Sequence, residues 1–247
     1  MPPNSEKIII LESVESTNNY AMAMIQRKVA ISGNGVFAYE QTRGKGQRGK
    51  EWKGNAGENI TLSVIIEMQW LSVAHQFRLS VAAALGCYDF VSKYINEKVC
   101  IKWPNDIFIN DSKAGGILIE NVIRGTLWQW AVMGFGINVN QTNLDEIDKP
   151  ATSFKKITEK DYDLPELANK LHECTLKRVE ELHAGFFYKM LEEYNHHLYA
   201  RDKKVIFKKE NIIFEATIKN VSEIGQLVTQ DIFEKRFDFG EVEMIYY

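Results

Sequence analysis

The chain has 247 residues, 45% hydrophobic and 11% aromatic, and a formal net charge of −3. That length suits one large domain or two unequal ones, and the apolar content excludes a disordered chain. The negative balance argues against non-specific nucleic-acid binding by the whole surface. No apolar run is long enough for a bilayer span or a signal peptide, and three scattered cysteines (Cys87, Cys100, Cys174) read as reduced thiols. The expectation is a soluble cytoplasmic protein.

In chain order, residues 7–12 suit a short strand. Ser16 and Thr17 are good helix-capping types before Tyr20, Met24 and Ile25 at helical spacing. "GVFAYEQ" runs as a strand into a basic loop, and "ITLSVIIEM" is a nearly continuous apolar strand of the kind covered on both faces. Residues 73–95 read as a long amphipathic helix whose alanines pack closely on the sheet. From Val99 to Asn140 the pattern is consecutive antiparallel strands, with turns at Asn110–Ser112 and Arg124-Gly125. Residues 163–200 read as one or two helices. The tail from Asp202 alternates apolar and polar residues, with turns near Asn220, Gly225 and Gly240, as in a small antiparallel barrel. The predicted class is α+β: a mixed, mainly antiparallel sheet with helices grouped on one side, plus the small C-terminal barrel.

Four polar segments, the last three containing glycine, interrupt this pattern: "ESTN", "QTRGKGQRGKEW", "KWPNDIFINDSKAGGILIE" and "GFGINVN". The second contains G-x-x-x-x-G-K from Gly44 to Lys50, but Glu51 stands where a phosphate-binding loop needs Ser or Thr, and a strand rather than a helix follows. Its glycines free the backbone while Lys45, Arg48 and Lys50 supply cations, so the loop is suited to order around an anionic ligand. A solvated surface turn and a nucleic-acid patch are the competing readings. A small anionic nucleotide is preferred over the latter because Trp52 is the loop's one aromatic residue. Pro104 breaks or bulges its strand and so aims Asn105 and Asp106 away from regular pairing. Lys113 reads either as a surface hairpin lysine or as a buried ammonium, which requires an anionic partner. Asn138 and Asn140, at period two, are structural hydrogen bonders or ligands to a phosphate or hydrated Mg²⁺. The histidines show no metal or nucleophile pattern.

The ordered set "ESTN" (15–18), "QTRGKGQRGKEW" (41–52), "KWPND" (102–106), "SKAGGILIE" (112–120), "GFGINVN" (134–140) and "ATSF" (151–154) resembles the biotin protein ligases. The resemblance implies a two-step reaction. Biotin's carboxylate attacks the α-phosphate of ATP, with Mg²⁺, giving biotinyl-5′-AMP and pyrophosphate. A lysine of a biotin carboxyl carrier domain, part of a biotin-dependent carboxylase, then displaces AMP. It implies Ser16, Thr17, Asn18, Gln41, Lys45, Gly46, Gln47, Lys113 and Gly116 at biotin, and Arg48, Trp52, Lys113 and Asn138 at the nucleotide. Lys113 bridges carboxylate and α-phosphate, Asp106 positions or balances charge beside it, and Mg²⁺ arrives on the phosphates near Asn138.

The resemblance also implies a catalytic domain over residues 1–200 and a small SH3-like β-barrel domain over 201–247, in a monomer or homodimer. Where the family often has G-R-G-R-R-G, this chain has "GKGQRG". With "ESTN" at residue 15, no N-terminal DNA-binding domain and no DNA partner are expected. A lipoate–protein ligase and a non-catalytic biotin- or nucleotide-binding module are the alternatives.

Overall fold

The computed structural model describes residues 7–144 and 150–245. Seven strands form one sheet: β1 (Ile8–Val14), β2 (Gly35–Gln41), β3 (Asn59–Glu67), β4 (Val99–Lys102), β5 (Asp106–Ile109), β6 (Ser112–Arg124) and β7 (Leu127–Asn138), in the order β1-β2-β3-β7-β6-β5-β4. Only β1 and β2 pair in parallel; every other neighbour is antiparallel. β3 and β7 sit centrally, and the first eight residues of β3 are buried, as its unbroken apolar run predicts.

The two faces carry different loads. On one, Phe37, Val64, Ile66, Ile117 and Met133 join the main core with α2 (Phe77–Val91), α4 (Leu164–His183) and α5 (Phe187–His196). α4 starts where Asp163 accepts a hydrogen bond from the Glu166 N–H, with Pro165 in its first turn. α2 also approaches α4 closely: a Cβ on Gly86 would lie 2.8 Å from the Thr175 Cα. On the opposite face, α1 (Thr17–Gln26) packs Ala21 against Val36, Ile65 and Val132. The helices are thus not all on one side: α1 is ten residues long and covers only part of its face. The remainder of that face carries the cleft described below.

A short helix, α3 (Phe154–Thr158), capped by Ser153, precedes α4. The C-terminal strands β8 (Lys204–Lys209), β9 (Ile212–Val221), β10 (Leu227–Gln230), β11 (Glu234–Phe237) and β12 (Glu243–Ile245) form a second, antiparallel sheet in the order β11-β10-β9-β8-β12. Phe207, Phe214 and Phe237 pack together in it. Asn220 lies within β9, not in a turn; the reversal spans residues 222–226, where Gly225 has φ +94°. Among the described residues no helix is long and apolar enough to cross a membrane.

Candidate active site

Side-chain alternation places the site. On the face shared with α1, β3 presents Thr61 and Ser63, β7 presents Gly134 and Gly136, and β6 presents Gly116 and Leu118. Thr61, Gly136 and Gly116 form one cross-strand row, and Ser63, Gly134 and Leu118 the next. A floor of glycines and small hydroxyls leaves depth above the sheet. A Cβ on Gly134 would overlap the Asn18 amide, and one on Gly136 would lie 2.7 Å from Cδ2 of Trp52. The "GFG" segment is what lets α1 and the basic loop descend onto the strands.

The start of α1 forms the cleft's polar end. Gln41 Oε1 accepts from the Thr17 N–H at 2.8 Å and from the Thr17 hydroxyl at 3.1 Å. Ser63 Oγ lies 2.8 Å from Thr17 Oγ1 and 2.6 Å from Asn18 Oδ1, and Asn18 Nδ2 donates to Glu120 at 2.8 Å. Ser16, Thr17 and Asn18 are buried. The oxygen of Gln41 is spent on Thr17, so its amide N–H₂ is the end left for donation.

Residues 44–52 close back on themselves, with the Gly46 N–H donating to Lys50 O, the Trp52 N–H to Gly44 O, and a Lys45–Glu51 bridge. No helix follows, so the phosphate-loop geometry is absent and the segment is a flap over the cleft. Lys45, Gly46, Gln47 and Trp52 line the cavity, and Lys45 Nζ pairs with Glu120 at 3.2 Å. Arg48 does not line it. Its φ is +57°, and its guanidinium donates to Gly240 O at 3.2 Å and lies over Phe239 of the C-terminal segment. Arg43 likewise pairs outward, with Glu15 at 3.3 Å.

Lys113 reaches the cleft by a bulge. Ile107 pairs with Gly115 but Phe108 with Lys113, leaving Ala114 as the extra residue. Strict alternation would send Lys113 to the helix-covered face, with Ile117; the extra residue turns it to the other face. There Nζ lies 2.7 Å from Asp106 Oδ1 and 5.9 Å from the centre of the Trp52 ring. The sequence reading expected Pro104 to take Asp106 out of register. Instead Asp106 is regularly paired with Lys102 and Gly116, because Pro104 falls in the turn after β4, where its missing N–H costs no ladder bond. The Trp103–Pro104 peptide is cis. Asn105 is tied to Ile117 O through its side chain and still lines the cavity.

Two buried polar atoms here have no partner in the protein: Trp52 Nε1 and Asn138 Oδ1. Asn138 lies one repeat beyond Gly136 on the same face, and its Nδ2 donates to Thr152 O. Asn140 is already paired, bonding the Tyr162 N–H and C=O, so it serves structure. Among the described residues no group of three or more His, Cys, Asp or Glu side chains converges to hold a metal.

The sequence reading missed Ser63 and Glu120. Both carried a signal: a serine at period two from Thr61 inside an apolar strand, and a carboxylate at period two from Gly116 and Leu118.

The family model described as the Biotin/lipoate A/B protein ligase family matches residues 10–138, which contain most of this site. The chain belongs to that family. Among its relatives, the biotin--[acetyl-CoA-carboxylase] ligase of Paracoccus denitrificans is 35% identical over 133 residues, 53% of each chain. The bifunctional ligase/repressor BirA of Escherichia coli is 30% identical over 139 residues, covering 56% of this chain and 42% of BirA. The chain thus spans about half the length of the family members it matches in sequence. In fold it is similar to the biotin protein ligase of Aquifex aeolicus, solved with biotin and ATP. That match has a TM-score of 0.82 and 22% identity, over 98% of this chain and 100% of that one.

Proposed function

We propose that this protein activates biotin as biotinyl-5′-AMP at the expense of ATP and transfers the biotinyl group to a lysine of a biotin carboxyl carrier domain. The observation that carries the reading is the convergence on one cleft of a hydroxyl-and-amide end and a cationic end. Ser16, Thr17, Asn18, Gln41 and Ser63 form the first; Lys113 forms the second. The hydroxyl-and-amide end suits a ureido group, which both donates and accepts hydrogen bonds. The cationic end suits a carboxylate meeting a phosphate.

In the first step biotin's carboxylate oxygen bonds to the α-phosphorus of ATP and the bond to pyrophosphate breaks. Two anions must approach, so their repulsion and the charge growing on the phosphoryl oxygens need fixed cations. One N–H of the Lys113 ammonium is engaged by Asp106, leaving two for the carboxylate and the α-phosphate. A charged hydrogen bond is worth about 1.5–3 kcal/mol, which makes each such contact worth roughly 10- to 150-fold in rate. Asp106 is the positioning residue that holds this ammonium in place. Trp52, with its unpartnered Nε1 and a ring face over the cleft, is suited to the adenine.

The donor set at Asn138 is one buried amide oxygen with no carboxylate cluster, which fits a Mg²⁺ carried on ATP's phosphates rather than a resident ion. When bound, that cation would draw charge from the leaving pyrophosphate. In the second step the carrier's lysine amine bonds to the biotinyl carbonyl, AMP leaves and the amine gives up a proton. Residues 44–52 are suited to exclude water from the adenylate until then.

The same reading takes residues 1–200 as the catalytic unit and 201–247 as a β module beside the flap, in a monomer or homodimer. The test is mass spectrometry of a carrier domain incubated with the protein, Mg²⁺, ATP and an equimolar mixture of biotin and lipoate. One biotinyl group on one lysine supports the proposal. Lipoylation in place of biotinylation would overturn the substrate, and an unmodified carrier would leave a binding module.

A further inference from the structure

Glu120 makes two contacts that neither its position on β6 nor the chain's local path requires. Its Oε2 accepts from Asn18 Nδ2 at 2.8 Å, and its Oε1 pairs with Lys45 Nζ at 3.2 Å. One carboxylate therefore holds the start of α1 with one oxygen and the flap with the other. Neither partner is close in sequence to Glu120 or to the other, so the three meet only through the tertiary fold.

The contact with Asn18 fixes the direction of the hydrogen-bond chain at the polar end. A carboxylate only accepts, so the Asn18 NH₂ must face Glu120, which turns Asn18 Oδ1 toward Ser63. The Ser63 hydroxyl lies between Asn18 Oδ1 and Thr17 Oγ1, and Thr17 donates to Gln41 Oε1. Which atoms the cleft offers a ligand thus follows from the charge of Glu120. The contact with Lys45 holds the flap. Those side chains are 40% and 28% exposed, so the pair is weak enough to open for ligand entry yet biases the flap toward closure.

We infer that Glu120 is a positioning residue that couples closure of the flap, through Lys45, to the orientation of the Asn18 amide at the polar end of the cleft. Its bearing on biotin rests on the function proposed above; the clamp itself does not.

The experiment is limited trypsin digestion of the ligand-free protein, following cleavage after Lys50 by mass spectrometry. Wild type, Glu120→Gln, Lys45→Gln and the double variant are compared. Each single variant is expected to be nicked about two- to fivefold faster, the effect of losing a weak ion pair. The double variant should be nicked no faster than the more sensitive single one. Unchanged rates, or effects that multiply in the double variant, would overturn the clamp. Lys45→Gln lies on the flap, outside the core, so the comparison survives if Glu120→Gln folds poorly.

A second readout is the split between adenylate lost to hydrolysis and biotinyl group transferred, together with KM for biotin. Glu120→Gln should raise the hydrolysed fraction and the KM; no change in either contradicts the coupling. Digestion needs no substrate. A wild type inactive with biotin would therefore sink the proposed function and leave the clamp standing, whereas an active enzyme with flat digestion rates would sink the clamp alone.

Discussion

Lys113 Nζ and Asp106 Oδ1 lie 2.7 Å apart across the β5–β6 hairpin, and they meet because Ala114 is left out of the ladder between the two strands. With side chains only 25% and 14% exposed, the pair is shielded enough for its geometry to matter. Asp106→Asn keeps the shape but removes the charge that orients the ammonium. We predict that kcat for adenylate formation falls by roughly tenfold, the loss of about one charged hydrogen bond, with the dissociation constant for biotin changed less. Single-turnover kinetics beside calorimetric biotin binding separate the two.

Gly134 and Gly136 occupy successive rows of the same face, yet an added methyl meets different neighbours at each. Gly134→Ala strikes Asn18 and should weaken biotin binding; Gly136→Ala strikes the Trp52 ring and should weaken ATP binding. Each carries an overpacking cost of about 1–3 kcal/mol in stability. Separate titrations with biotin and with ATP check this. Equal losses of both ligands in both variants would contradict the division of the cleft.

The chain's periodicities made the order of strands and helices readable, because apolar alternation and capping are local. The site was readable as a set of segments but not as a geometry. Nothing near Asn18 in sequence says that it rests on Gly134, and no local pattern says that Lys113 needs the Ala114 bulge to face the cleft. Arg48 shows the limit most clearly. A cation in a glycine loop reads as a ligand contact, while its guanidinium here donates to the carbonyl of Gly240, 192 residues away. The placement of α1 across from the other helices was likewise hidden, since amphipathicity names a face of the helix and not a face of the sheet.

His172 is buried, and its Nε2 lies 2.8 Å from Gly33 O. Burial depresses its pKa below the usual 6.5, with the hydrogen bond to Gly33 opposing. The unfolded chain therefore binds this proton at a higher pH than the folded one. Its linkage leaves stability intact above pH 6.5 and removes it as pH falls from there toward the folded value. We predict that the melting temperature of wild type drops more steeply below pH 6.5 than that of His172→Gln, measured by calorimetry across that range.

Arg178 joins α2, α4 and α5 through Asp89, Glu181 and Glu193, with its side chain 11% exposed. The Asp89 hydrogen bond leads the effects that raise its pKa, so it stays charged throughout. Arg178→Ala leaves three carboxylates facing each other and should cost about 3–5 kcal/mol. Urea denaturation measures the loss. A cost under about 1 kcal/mol would place the network among ordinary surface pairs.

The most direct test of the central claim is biotin-dependent exchange of labelled pyrophosphate into ATP, comparing wild type with Lys113→Ala. Adenylation predicts exchange that requires biotin and falls at least roughly tenfold in the variant while biotin still binds, the effect of losing one charged hydrogen bond at the transition state. Undiminished exchange in Lys113→Ala, or none in folded wild type supplied with Mg²⁺ and both substrates, would contradict it.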